Sequence, residues 1–130
     1  MKNSTTNYVA LEGSSVAVYQ TWEMGRDLGD DVRTAARRGN AIELKTLLRR
    51  MGGSAYVGSF DLSEDQTLEQ LYVLLQNDSH DEGWVKALGA QDGWLNQQGA
   101  SSLSIGDVLA ITHEGSTLHF VVGMVGFIAL

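Results

Sequence analysis

The sequence of 130 residues contains no cysteine. Disulfide bonds, thiolate nucleophiles and zinc sites with cysteine ligands are therefore excluded. The opening stretch, Met1 to Thr6, also lacks the apolar segment of a secretory signal. From these two absences we expect a cytoplasmic protein.

Long hydrophobic runs are missing as well. The longest, Leu118 to Leu130, is interrupted by His119 and two glycines, and it falls short of the roughly 20 residues that a membrane helix needs. It is better explained as buried strand, so we expect no membrane contact.

With 43% hydrophobic residues the chain can bury one core but is too short for two ordinary domains. We expect a single domain over 1–130, with a candidate flexible segment at 1–14.

Motifs for catalysis are also absent. The chain has no phosphate-binding glycine loop, no dinucleotide glycine pattern, no Gly-x-Ser-x-Gly and no His-Glu-x-x-His. We therefore predict no catalytic residue, no cofactor and no enzymatic activity.

Metal ligands are sparse. The segment from Asp78 to Glu82 offers carboxylates and one imidazole, but it lacks the alternating acids and closing glutamate of a calcium loop, and one histidine is too few for zinc. His113 and His119 flank a predicted hairpin and could approach each other, although a turn residue and a strand residue are the simpler explanation. We predict no metal site, and an enzyme or metal binder at these residues stays as an alternative.

Positive charge is nearly missing from the second half. Up to Phe60, eight Lys and Arg stand against six Asp and Glu, and after Phe60 one lysine stands against ten acids, which gives the net charge of −7. Such a split favours long-range attraction of a basic partner, although the acids can also serve solubility alone.

The periodicities that are present predict an α+β fold. A strand is expected over Val16 to Trp22, a second over Ala55 to Phe60, and a C-terminal β-hairpin from Val108 to Val122 with its turn at 113–116. Gly123 and Gly126 predict a bend before a last strand. With two to four helices between these strands, we expect a small domain with a mostly antiparallel sheet.

Two consecutive helices are predicted in the first half. Asp30 or Asp31 can cap a helix that ends at Gly39, and Asn40 with Glu43 can cap the next, whose apolar face repeats from Leu44 to Met51. Their cations could contact phosphate, or be solvated, or pair with the acidic half. Direct nucleic-acid binding through helices 31–51 is the alternative function, and its candidate residues are Arg33, Arg37, Arg38, Lys45, Arg49 and Arg50.

A third helix carries the best capping signal. Thr67 and Gln70 form a capping box, followed by Leu68, Leu71, Tyr72 and Leu75 at helical spacing. The nearby acids Glu64, Asp65 and Glu69 suit the positive end of the helix dipole, so part of the acidic cluster has a structural explanation.

An internal duplication follows. Segments 81–90 and 91–100 share an acid, a glycine, a tryptophan and a branched aliphatic at matching positions, which makes Trp84 and Trp94 equivalent. Tryptophan is enriched in interface hot spots, which favours a pair of partner contacts, whereas two core anchors are the structural interpretation.

The C-terminal motif resembles a known family. Ser102-Leu103-Ser104-Ile105-Gly106-Asp107-Val108, then Phe120-Val121-Val122 and Gly126-Phe127, is similar to the closing motif of the YodL-like family, and Thr67 to Tyr72 is similar to its helix. The resemblance covers about the second half of the chain. Gly123 stands where the family has an acid, and the tryptophan duplication replaces a shorter loop. Members recur on plasmids, phages and integrated elements, so the resemblance implies a mobile-element protein.

These observations lead to one functional hypothesis. An acidic domain from a mobile element is expected to inhibit a nucleic-acid-binding host defence complex by occupying its basic surface, with carboxylates in place of phosphates. The expected partner is a protein with a basic surface, and nucleic acid binds only in the alternative. The candidate contact residues are Glu64, Asp65, Glu69, Asp78, Asp81, Glu82, Trp84, Asp92 and Trp94.

Overall fold

Seven strands and three α-helices are present in the computed structural model, which describes residues 8–52, 55–76 and 102–130. The strands are Val9–Ala10 (β1), Ser15–Tyr19 (β2), Tyr56–Asp61 (β3), Gln66–Thr67 (β4), Val108–His113 (β5), Ser116–Val122 (β6) and Phe127–Ala129 (β7). The helices are Arg26–Arg37 (α1), Ala41–Met51 (α2) and Leu68–Leu74 (α3), and a single 3-10 turn covers Thr21–Glu23.

Five strands form one antiparallel sheet in the spatial order β3-β2-β5-β6-β7, and β1 pairs separately with β4. The middle strand, β5, pairs with β2 on one side and β6 on the other, so strands from both halves of the sequence meet at the centre. This arrangement confirms the predicted α+β class and the single domain with a mostly antiparallel sheet.

Helices cover both faces of the sheet. Leu109 and Ile111 of β5 point to the face that packs against Leu68 and Leu71 of α3. Val108 of the same strand points to the opposite face, which packs against α1 and α2. Because side chains alternate along a strand, α3 and the α1–α2 pair lie on opposite sides of the sheet.

The end of α1 and the start of α2 lie where the sequence predicts them. Gly39 has a φ of +65°, and its N–H donates to Ala36 while that of Asn40 donates to Ala35, which closes α1 with a Schellman motif. The Asn40 side chain then accepts the Glu43 N–H at 3.1 Å, and Leu44 of α2 is fully buried.

The start of α1 differs from the prediction. Asp30 and Asp31 lie inside the helix, which begins at Arg26 after Gly25. Gly29 made this segment resemble a loop, but a Cβ at Gly29 would lie 2.7 Å from the Thr21 carbonyl oxygen. Close packing of α1 on the 3-10 turn thus explains a glycine that helix propensity disfavours.

Two predicted strands also need correction. The strand predicted for Val16 to Trp22 ends at Tyr19, because Thr21 enters the 3-10 turn and donates its N–H to Asp107. The apolar run from Leu118 to Leu130 is two strands joined by a turn, and Leu118, Met124 and Val125 are exposed. The bend predicted at Gly123 and Gly126 is that turn.

The last residues of the candidate flexible segment, 1–14, belong to the folded domain. Val9 and Ala10 pair with β4, and Ala10 and Ser14 are fully buried.

The strand predicted for Ala55 to Phe60 is confirmed to within one residue. The capping box at Thr67 and Gln70 and the β5–β6 hairpin are confirmed as well. In the described ranges, no helix has the length and apolar character to cross a membrane.

Candidate functional site

An open groove runs along α3 and the loop that precedes β4. Its volume is about 480 Å³, and three of its lining residues are predicted partner contacts. We call it the acidic groove. It is lined by Glu64, Asp65, Gln66, Glu69, Gln70, Val73 and Leu74.

The capping box sets the geometry of this groove. The Thr67 hydroxyl accepts the Gln70 N–H at 3.1 Å, and the Gln70 side chain accepts the Thr67 N–H at 2.8 Å. These bonds fix the first turn of α3 relative to the loop that carries Glu64. Glu69 lies in that first turn, and Val73, one turn later, is 60% exposed. The groove therefore combines carboxylates with accessible apolar surface.

Asp65 has a structural partner in addition. Its Oδ1 accepts the backbone N–H of Glu12 at 2.8 Å, which ties the loop after β1 to the loop before β4. The contact brings a further acidic residue, Glu12, beside the groove. Sequence reasoning missed Glu12 because 53 positions separate it from Asp65. The groove carboxylates most available to a partner are thus Glu64 and Glu69.

No internal cation neutralises the acidic groove within the part of the chain that the structure describes. The ion pairs among those residues are Arg33 with Asp30 at 2.7 Å, and His113 with Glu114 at 3.7 Å when the imidazole is protonated. None of the described residues that line the groove is Lys or Arg. Pairing of the acidic half with the basic helices of the same molecule is one interpretation of the sequence. Among the described residues, no such ion pair forms with Glu64, Asp65 or Glu69.

The predicted basic residues lie on the other side of the sheet, on α1, on α2 and at Arg38 directly after α1. Five of them are exposed and form no ion pair with another described residue. We call them the basic surface: Arg37, Arg38, Lys45, Arg49 and Arg50. Arg33 is different, because its guanidinium donates to the Thr21 hydroxyl at 2.6 Å and to Asp30 at 2.7 Å. Arg33 thus has a structural role between α1 and the 3-10 turn.

The Leu-Ser-x-Gly-Asp-Val motif has a buried carboxylate at its centre. Asp107 accepts the N–H groups of Thr21 and Ser104, both at 2.9 Å, and a bond from the Gln20 side chain at 3.3 Å. Burial raises the pKa of Asp107, and these hydrogen bonds oppose the increase. Since its oxygens are used by backbone and side-chain donors, this carboxylate holds the fold together.

His113 and His119, the two described histidines, lie apart. His113 pairs with Ser116 and His119 with Ala110, which places the two imidazoles on opposite faces of the sheet. Within the described ranges, no group of three His, Asp or Glu side chains is arranged to hold a metal ion. The remaining predicted contacts, Asp78, Asp81, Glu82, Trp84, Asp92 and Trp94, lie outside the described residues, as does the alternative metal segment 78–82.

No family model matches the chain, and no curated protein or solved structure matches it either. The YodL-like resemblance therefore stays a prediction, and the acidic groove and the basic surface are the structural features from which a function can be inferred.

Proposed function

We propose that the protein is an acidic protein-binding module that occupies a basic surface of a protein partner through the acidic groove. One observation carries this proposal. Glu64, Asp65 and Glu69 line an open groove that no described cation neutralises, next to the accessible apolar side chain of Val73.

The chemistry of the groove suits arginine and lysine side chains. Both have apolar stems that pack on aliphatic surface while the charged group stays at the rim. Val73 and Leu74 offer that surface, and Glu64 and Glu69 offer acceptors for the charged group. Carboxylates bind guanidinium with two parallel hydrogen bonds, so an arginine-rich surface fits best. The net charge of −7 adds long-range attraction to such a partner.

The biological setting is part of the proposal. The resemblance of the C-terminal motif to the YodL-like family favours a protein of a mobile genetic element. A basic surface that normally holds nucleic acid is the target that an acidic module can block. We therefore propose that the partner is a nucleic-acid-binding host defence complex and that binding, without catalysis, inhibits it.

Affinity capture with matched variants tests this function. The variant E64Q/E69Q keeps the size of both side chains and removes their charge, and E114Q removes a carboxylate from the β5–β6 turn as the control. Asp65 is left intact because it holds Glu12. We expect E64Q/E69Q to bind the captured partner at least about tenfold more weakly than the wild type, and E114Q to bind normally.

The captured partner provides the second measurement. Added wild-type protein should displace a labelled DNA or RNA duplex from it, and E64Q/E69Q should not. Equal capture by wild type and E64Q/E69Q, or a partner that keeps its nucleic acid when saturated, contradicts the proposal.

The basic surface supports a second candidate function, direct nucleic-acid binding. The specific observation is that the α1–α2 helix pair carries five exposed cations and packs on the face of the sheet opposite to α3 and the acidic groove. Phosphate contacts release counterions, so K45Q/R49Q should reduce the salt dependence of duplex binding, the slope of log K against log salt, by about 2. The charge-preserving K45R/R49K is the control. Absence of duplex binding by the wild type at about 50 mM salt eliminates this candidate.

A further inference from the structure

An isoleucine protrudes from the basic surface. Ile42, in the first turn of α2, is 82% exposed, whereas Leu44, Leu47 and Met51 of the same helix are buried. At 100° per residue, Ile42 lies on the side of α2 that faces away from these leucines. Lys45 follows one turn later and Arg49 two turns later on that outer side. The outer side of α2 thus presents one aliphatic side chain followed by two cations.

The charges on this side are unfavourable for an isolated helix. Lys45 and Arg49 are four residues apart, and like charges at that spacing repel each other. Arg49 complements the helix dipole in the last turn of α2, but Lys45 is too far from the end to do so. Within the described part of the chain, neither cation has a carboxylate partner. A ligand with carboxylates would relieve this repulsion.

The acidic groove has the complementary features. The apolar side chains of Val73 and Leu74 can contact an aliphatic side chain such as Ile42. Glu64 and Glu69 can pair with the cations of α2. Its volume of about 480 Å³ leaves room for one aliphatic side chain and its neighbours.

The two surfaces cannot meet within one molecule. Leu68 and Leu71 of α3 pack on one face of the sheet, and Leu44 of α2 packs on the other. The sheet therefore separates Ile42 from the groove of its own chain. A second copy of the chain, in contrast, can present its α2 to the groove.

We propose that the protein associates with itself head to tail, with α2 of one copy docked in the acidic groove of the next. Ile42 packs against Val73 and Leu74, while Lys45 and Arg49 face Glu64 and Glu69. The contact joins two different surfaces, so each added copy leaves one groove and one basic surface free. Such a contact closes into a ring or continues as an open chain.

This association does not depend on the proposed basic partner, since it requires only the purified protein. It does use the same groove, so a bound partner and a docked copy exclude each other. Self-association therefore makes the groove less available at high protein concentration.

Sedimentation of charge-reversed variants tests the contact. The variants E64K/E69K and K45E/R49E each place like charges on both surfaces, so neither should associate alone. Mixed in equal amounts, they restore opposite charges between chains and should form complexes. The wild type should show a mass that rises with concentration when the Debye length is about 10 Å, at 0.1 M salt, and falls toward the monomer at about 1 M salt.

An uncharged variant separates packing from charge. I42S removes the aliphatic side chain from an exposed position and should weaken association about tenfold or more. The remote E114Q should associate as the wild type does. Circular dichroism checks that each variant is folded. If a charge-reversed variant does not fold, the mixing experiment is repeated with the neutral variants E64Q/E69Q and K45Q/R49Q.

Three results overturn the proposal: a wild-type mass that is monomeric at every concentration at 0.1 M salt, no complex in the mixture of reversed variants, or association that I42S and the charge variants leave unchanged. Because partner capture is measured at low protein concentration in a separate experiment, its failure is distinguishable from the failure of self-association.

Discussion

Asp107 accepts a hydrogen bond of 2.9 Å from the backbone N–H of Thr21, a residue 86 positions earlier in the chain. Its other carboxylate oxygen accepts the N–H of Ser104, also at 2.9 Å. The residue is 1% exposed. One buried carboxylate thus joins the segment after β2 to the turn before β5, the two strands that pair at the centre of the sheet.

Removing this carboxylate should destabilise the whole fold. In D107A the buried N–H of Thr21 loses its acceptor and that of Ser104 loses a carboxylate oxygen, and an unsatisfied buried donor costs about 1–3 kcal/mol. We expect the free energy of unfolding, measured in urea, to decrease by at least about 2 kcal/mol. The exposed D31N serves as the control and should lie within about 0.5 kcal/mol of the wild type. A D107A chain as stable as D31N would contradict this role.

The titration of Asp107 should be visible in stability. Burial raises the pKa of its carboxyl above the ordinary value of 3.8, so the folded state binds this proton more tightly than the unfolded state. Its contribution is therefore complete below pH 3.8 and is lost as the pH rises through the folded pKa. The variant D107N cannot titrate. The stability of the wild type relative to D107N should decrease with rising pH, in urea titrations from about pH 3 to 7. An increase would show that hydrogen bonding outweighs desolvation.

Gly106 should tolerate alanine less well than Gly13 does. Both have left-handed φ angles, +89° and +86°, so both variants lose about 1–2 kcal/mol from backbone strain. A Cβ at Gly106 would in addition lie 2.8 Å from Cγ2 of Thr21, whereas the space at Gly13 is open. We expect G106A to be less stable than G13A by about 1–3 kcal/mol in urea unfolding. Equal losses would mean that the neighbouring side chains move aside without cost.

The capping box at the acidic groove should contribute measurably. T67A removes the acceptor for the Gln70 N–H and should lower the free energy of unfolding by about 1 kcal/mol. T46A, at an exposed position inside α2, is the matched control, and it should change stability little or increase it, because alanine favours the helix interior. Thermal unfolding of both variants measures the difference. If T67A and T46A behave alike, the cap does not stabilise α3.

The features predicted correctly from sequence are those set by near neighbours. Asn40 caps α2 through Glu43, three residues away, and Thr67 caps α3 through Gln70 at the same spacing. The β5–β6 hairpin turns at Glu114 and Gly115, both with positive φ, as a two-residue type I′ turn requires. In each case the signal and the structure it produces lie within a few residues.

The features that were missed depend on distant contacts. α1 begins at Arg26 and includes Gly29, which packs closely on Thr21, and β2 ends before Thr21 donates its N–H to Asp107. Neither contact leaves a local pattern. The acids and the cations were identified from sequence, but periodicity could not show on which side of the sheet each would lie. That separation arises because α1 and α2, between β2 and β3 in the chain, pack on one face of the sheet, whereas α3, between β4 and β5, packs on the other, which no short-range signal indicates.

The central position of β5 has a consequence for synthesis on the ribosome. While the chain is translated from its N-terminus, β2 can pair only with β3. Its other edge stays unpaired until Val108 to His113 emerge, and an unpaired strand edge is prone to aggregation. The five-stranded sheet therefore forms late in translation. A nascent chain that stops before Val108 should carry an open β2 edge and depend on chaperones to stay in solution.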